Sequence, residues 1–94
     1  MPKKMTFKNN KKVKKVVIKN GVTSVSDKAF YKCKNLSKVT IGKSVKKIGI
    51  DSFNGTKIKK VTIPKKVKEI GQDAFENCKQ LENITLPGKY TLKK

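Results

Sequence analysis

The large apolar residues of this chain return at a fixed interval. Phe7, Phe30, Phe53 and Phe75 are spaced by 23, 23 and 22 residues. The same apolar series follows each of them. It runs Val13, Leu36, Ile58 and Leu81, then Val16, Val39, Val61 and Ile84, then Ile18, Ile41, Ile63 and Leu86. After a short polar gap come Val22, Val45, Val67 and Tyr90, and then Val25, Ile48 and Ile70. One residue missing between Thr56 and Ile58 accounts for each interval of 22. This register absorbs nearly all the large apolar side chains, so a repeat organises the chain.

Within a unit the spacing L-x-x-V-x-I ends in apolar–polar alternation, which places one strand face against a core. It predicts strands at 16–18, 39–41, 61–63 and 84–86. Each runs into a corner rich in Gly, Pro and Lys, such as Gly42-Lys43-Ser44 or Pro64-Lys65-Lys66, residues that interrupt regular hydrogen bonding. A V-x-x-I return segment follows, then a brief helical turn such as Asp73-Ala74-Phe75-Glu76. No unit can bury its own apolar face; stacked units bury ladders of like residues between them. The expected arrangement is a single domain over 1–94, with units at 7–15 (partial), 16–38, 39–60, 61–83 and 84–94 (partial), about 3.5 coils.

The segment from Val67 through Ala74-Phe75-Glu76-Asn77-Cys78 to Leu86-Pro87 closely resembles the BspA-like (Treponema pallidum type) leucine-rich repeat, and Val22 through Ile41 matches nearly as well. The resemblance spans about residues 7 to 90. It implies an α/β leucine-rich-repeat solenoid with 22–23-residue repeats, a right-handed superhelix, and a short parallel β-sheet on its concave face. It also implies protein recognition or adhesion rather than catalysis, many members being surface proteins. The unit around Phe53 departs from the pattern, with Ser52 and Thr56 where its neighbours have Ala and Cys.

Charge adds a second theme. All 25 basic residues are lysine, against 6 acids, for a formal net charge of +19. Residues 1–68 hold 21 lysines and 2 acids, a net +19, whereas residues 69–94 hold 4 of each. Only 35% of residues are apolar, too few for a round core but enough for a column of stacked ladders. With no histidine and two cysteines, metal sites and base-assisted nucleophiles find no support. Cys33 and Cys78 share a repeat position two coils apart, about 10 Å at a strand spacing of about 4.8 Å, which is beyond disulfide reach. They read as buried thiols filling space. Asp27 and Asp51, each just before a Phe, read as local caps of the helical turn. Asp73 and Glu76 have no accompanying nucleophile or metal ligand, so no catalytic constellation and no cofactor are expected.

The lysines fall into columns. Lys15, Lys38 and Lys60 occupy one outward strand position, with Lys14 and Lys59 beside them. Lys11, Lys34, Lys57 and Lys79 line the loop that enters each strand. At about 5 Å, adjacent charges in a column repel by roughly 0.8 kcal/mol in water, a cost that an anionic partner would relieve. Lys11, Lys14, Lys15, Lys34, Lys38, Lys57, Lys59 and Lys60 are the candidate site. The expected partner is an acidic protein surface. The alternatives are nonspecific nucleic-acid or other polyanion binding, and a structural or adhesin-type fragment whose charge is incidental. Lysine is a point charge with little geometric discrimination, and the phenylalanines are committed to the core, so base-specific readout is not expected. The longest apolar run, Val16-Val17-Ile18, is far short of a membrane span or signal core. The location expected on that ground is cytoplasmic, or extracellular if the N-terminus has been trimmed. The coil ending Tyr90-Thr91-Leu92-Lys93-Lys94 leaves an open end at which a homodimer is expected.

Overall fold

The structure is a computed structural model and describes residues 7–85. Seven short strands follow the coil period: β1 (Lys15–Ile18), β2 (Ser24–Val25), β3 (Lys38–Ile41), β4 (Lys47–Ile48), β5 (Lys60–Thr62), β6 (Glu69–Ile70) and β7 (Asn83–Thr85). All pairings are parallel. β1 pairs β3 with Lys15 against Lys38 and Ile18 against Ile41, and β5 pairs β7 with Lys60 against Asn83. The repeat register read from the apolar residues is therefore the hydrogen-bonding register. The end of the predicted fourth strand at Leu86, the corner at Pro87-Gly88-Lys89, and the terminal segment from Tyr90 lie outside the described residues.

Two features differ from the sequence expectation of one continuous sheet. The V-x-x-I return segments form a second parallel sheet, β2-β4-β6, with Val25, Ile48 and Ile70 in register. The first sheet is divided, because β3 and β5 contact each other without a ladder between them. The break falls where one residue is missing from the repeat. The coil closes with a shorter approach to β5, and the link there is a single bond from the Lys57 N–H to the Leu36 carbonyl at 2.8 Å.

The helical turn is replaced, and no helix occurs among the described residues. Two residues before Phe30, Phe53 and Phe75, the backbone enters the left-handed region at Lys28, Asp51 and Asp73. Two residues after Phe7, Phe30, Phe53 and Phe75 it does so again, at Asn9, Lys32, Gly55 and Asn77. A helix cannot continue through such residues. Overlapping turns form instead: in the second coil the N–H groups of Ala29, Tyr31 and Cys33 bond the carbonyls three residues back. The alternate N–H groups point along the stack. Lys28, Phe30 and Lys32 donate to Ile50, Ser52 and Asn54 at 2.8, 2.8 and 2.7 Å. In an isolated unit these donors would have only water, so stacking, rather than local propensity, fixes this conformation.

Asp27 likewise acts between coils and not as a local cap. Its Oδ1 accepts the Ile50 N–H at 2.9 Å. Asp51 accepts from the Asn54 amide at 2.9 Å. Corners are stitched in the same way: Asn20 Oδ1 accepts the Lys43 N–H, and the Asn35 amide donates to the Lys11 carbonyl.

The core is the predicted column. Leu36, Ile58, Ile63, Val45, Val67, Ile48, Ile70 and Phe53 are fully buried, whereas Phe7, Val13, Phe75 and Leu81 in the outer coils are half-buried. The phenylalanines stack with ring centroids 5.5, 5.4 and 5.4 Å apart and planes within 12° of parallel. Contacts of this kind contribute roughly 0.5–1.5 kcal/mol per pair beyond their buried area. Coils approach so closely that a Cβ on Gly71 would lie 2.5 Å from the Ile50 nitrogen.

Candidate binding surfaces

The strand faces follow from the alternation. In β1 and β3 the last residues, Ile18 and Ile41, point into the core, while Lys15, Val17, Lys38 and Thr40 stand outside. Lys60, Thr62, Asn83 and Thr85 continue these two outward columns across β5 and β7. Lys15 and Lys38 are direct neighbours in the ladder, whereas Lys38 and Lys60 share a repeat position with no ladder between their strands. Val17 is 56% exposed, an apolar spot at the head of a column of threonines. Lys14 and Lys59 sit at the strand entrances, where each carbonyl accepts two successive N–H groups of the next coil. The carboxylate in these outward positions is Glu82, which follows Lys14, Ser37 and Lys59 in its column at the C-terminal end.

Lys11, Lys34, Lys57 and Lys79 lie elsewhere. Each is four residues after a stacked phenylalanine, on the loop between the turns and the strands. Together with Lys32 they line an open groove of about 650 Å³ that crosses all four coils. Its remaining walls are Asn9, Asn54, Gly55, Thr56, Asn77 and Gln80, so the lining carries five lysines and no acid. Lys57 also borders a smaller, distinct depression with Lys14, Asn35 and Ser37 at the strand entrance. The two lysine columns read from the sequence therefore lie on two surfaces, the strand face and the loop groove. Sequence reasoning did not find the groove's polar floor. The signal was present, however, because Asn9, Lys32, Gly55 and Asn77 share one repeat position.

Among the described residues the one salt bridge joins Lys47 to Glu69 at 3.9 Å on the second sheet, with both side chains half exposed. Such a pair contributes little. Two cations lie over the Tyr31 ring, Lys28 Nζ at 5.5 Å and Lys32 Nζ at 5.3 Å from its centroid.

The thiols share the expected repeat position, but only Cys33 is buried and Cys78, in the outer coil, is half-buried. Cys33 donates to the Phe7 carbonyl at 2.9 Å and Cys78 to the Phe53 carbonyl at 3.1 Å, both without a disulfide. Thr56 fills the equivalent position between them, bonded to the Phe53 carbonyl and 3.2 Å from Cys78 Sγ. Burial raises both thiol pKa values above the ordinary thiol value, against the opposing effect of hydrogen bonds from the Asn10 backbone to Cys33 and from Thr56 and the Gly55 backbone to Cys78. Among the described residues no three His, Cys, Asp or Glu side chains gather in a way that could hold a metal ion. No helix among them is long and apolar enough to cross a membrane.

Parallel strands stacked every 22–23 residues over single-residue ladders define a leucine-rich-repeat solenoid. This chain belongs to the BspA-type leucine-rich repeat family, whose model matches residues 3–93 in six copies. It is similar to a leucine-rich cell surface protein of Faecalibacterium prausnitzii A2-165, with 42% identity and a TM-score of 0.74, over 76% of this chain and 19% of that one. It is also similar to a leucine-rich repeat protein of Bacteroides ovatus ATCC 8483, with 30% identity and a TM-score of 0.56, over 82% of this chain and 26% of that one. The chain thus spans a fifth to a quarter of the length of these relatives. No curated protein matches it significantly. Family and fold make it a repeat module of the interaction or surface type.

Proposed function

We propose that the chain is a non-enzymatic interaction module whose strand face docks an acidic protein surface. The observation that carries this reading is the outward pairing of Lys15 with Lys38, continued by Lys60, around the exposed Val17. Protein interfaces combine an apolar centre with a charged rim. Val17 and the Thr40 and Thr62 methyl groups supply the first, and the lysines supply the second. The charge steers an acidic partner and the apolar contact holds it. The cell-surface description of the Faecalibacterium relative favours an extracellular setting over a cytoplasmic one.

The test is capture of partners from a native-source extract, with nuclease present and at both low and 300 mM salt. A protein retained at high salt by the parent chain, and lost in Lys15→Gln/Lys38→Gln/Lys60→Gln, is the expected result. Equal retention by the triple variant, or loss on nuclease treatment, would refute the strand-face reading.

A further inference from the structure

We infer that the groove lined by Lys11, Lys34, Lys57 and Lys79 binds an acidic polysaccharide laid along the stacking axis. This inference uses a surface separate from the strand face and does not rest on that reading.

Geometry gives the first reason. The four lysines sit at a constant offset from the phenylalanine ladder, whose rings advance by 5.4–5.5 Å per coil. The groove therefore offers a column of four lysines, one from each coil at a regular backbone rise, with Lys32 beside it as a fifth cation in the second coil, running across the strands. A ligand matching it is a linear polymer with regularly repeated anionic groups, a pattern that a folded protein surface does not present over four successive steps.

Chemistry gives the second. Every lining residue is Lys, Asn, Gln, Thr or Gly, with neither an aromatic nor a large aliphatic group among them. Protein hot spots are built on aromatic and arginine anchors, and single-stranded nucleic acids are held by stacking on aromatic rings. The groove has neither, and Tyr31, flanked by its own lysines, is not among its walls. The exposed amides of Asn9, Asn77 and Gln80 stand between the cations. An amide both donates and accepts, which matches sugar hydroxyls, whereas carboxylates and phosphates only accept. The Asn77 amide is already oriented. It donates to Asn54 Oδ1 at 3.2 Å, and Asn54 donates to Asp51 Oδ1 at 2.9 Å. A polyanion that also carries hydroxyls uses both parts of the lining.

Fluorescence anisotropy with labelled oligogalacturonate and dextran sulfate tests this, beside neutral dextran, oligothymidylate and polyglutamate of similar length. At least one acidic sugar polymer is expected to bind more tightly than the last two, with neutral dextran not binding. Lys34→Gln/Lys57→Gln/Lys79→Gln is expected to weaken binding about tenfold, in line with three exposed charge contacts. The matching triple arginine variant should recover it, and Lys15→Gln/Lys38→Gln/Lys60→Gln should leave it unchanged. Parent-like binding by the groove glutamine variant would overturn the proposal. So would equal loss in the strand-face variant, or oligothymidylate or polyglutamate binding as tightly as the sugars. Circular dichroism confirms that each variant is folded. Because partner capture by the strand face is read with a different variant, failure of one proposal leaves the other standing.

Discussion

Ser52 offers a direct test of how the stack accounts for its polar groups. It occupies the position filled by Ala29 and Ala74 in the neighbouring coils, and its accessible surface is 0% of the maximum. Its hydroxyl oxygen is, among the described residues, the buried side-chain polar atom with no hydrogen-bond partner. A buried polar group left unpaired costs roughly 1–3 kcal/mol. Replacing the hydroxyl with hydrogen in Ser52→Ala removes that cost. It sacrifices only the contacts of one atom, in a space that the adjacent coils show to be shaped for a methyl group. The net expectation is a gain of about 1–2 kcal/mol, after a few tenths lost to packing. For a domain of this size that corresponds to a rise in Tm of roughly 4–16 °C. Urea denaturation followed by far-UV circular dichroism reads the change, and an unaltered m-value shows that it is a change in stability alone. The paired variant Ser52→Val adds carbon where none fits and is expected to lose about 1–3 kcal/mol. If Ser52→Ala is no more stable than the parent at equal m, the hydroxyl is satisfied in solution and the accounting fails.

Two further perturbations probe the stack. Gly71→Ala places a Cβ against the backbone of the preceding coil, 2.5 Å from the Ile50 nitrogen and 2.7 Å from the Gly49 carbonyl carbon. Backbone cannot step aside as a side-chain tip can, so a loss of about 2 kcal/mol or more is expected in the same urea assay, and a neutral outcome would contradict the close approach. The thiols set a pH dependence. Burial raises the pKa of Cys33 and Cys78 above 9.0, so the folded chain holds these protons to higher pH than the unfolded chain does. Their contribution is complete below about pH 9 and is lost as pH rises through the raised values. Compared with Cys33→Ala/Cys78→Ala, the parent should lose relative stability as pH rises above about 9; parallel pH profiles would contradict the burial of the thiols.

The apolar period by itself determined the coil, its length, the outward placement of Lys15, Lys38 and Lys60, and the column that forms the core. A ladder of identical positions needs only a constant offset, and a constant offset is visible in the chain. The single missing residue before Ile58 was visible too, though its effect was not. Whether a shortened loop costs a turn or a strand pairing depends on how the neighbouring coil can adjust, and the structure shows the pairing between β3 and β5 given up. The turn beside each phenylalanine was misread as helical for a related reason. Asp73-Ala74-Phe75-Glu76 suits a helix when taken alone, but its alternate N–H groups are satisfied only by a coil stacked against it. Asp27, which finds its donor at Ile50 in the next coil, was hidden in the same way. Two properties came only from tertiary structure: the second sheet, and the groove that joins the loop lysines to the amides of Asn9, Asn54, Asn77 and Gln80. Both are set by the direction in which a backbone turns between strands, and that direction is fixed by hydrogen bonds between residues 21 to 24 positions apart.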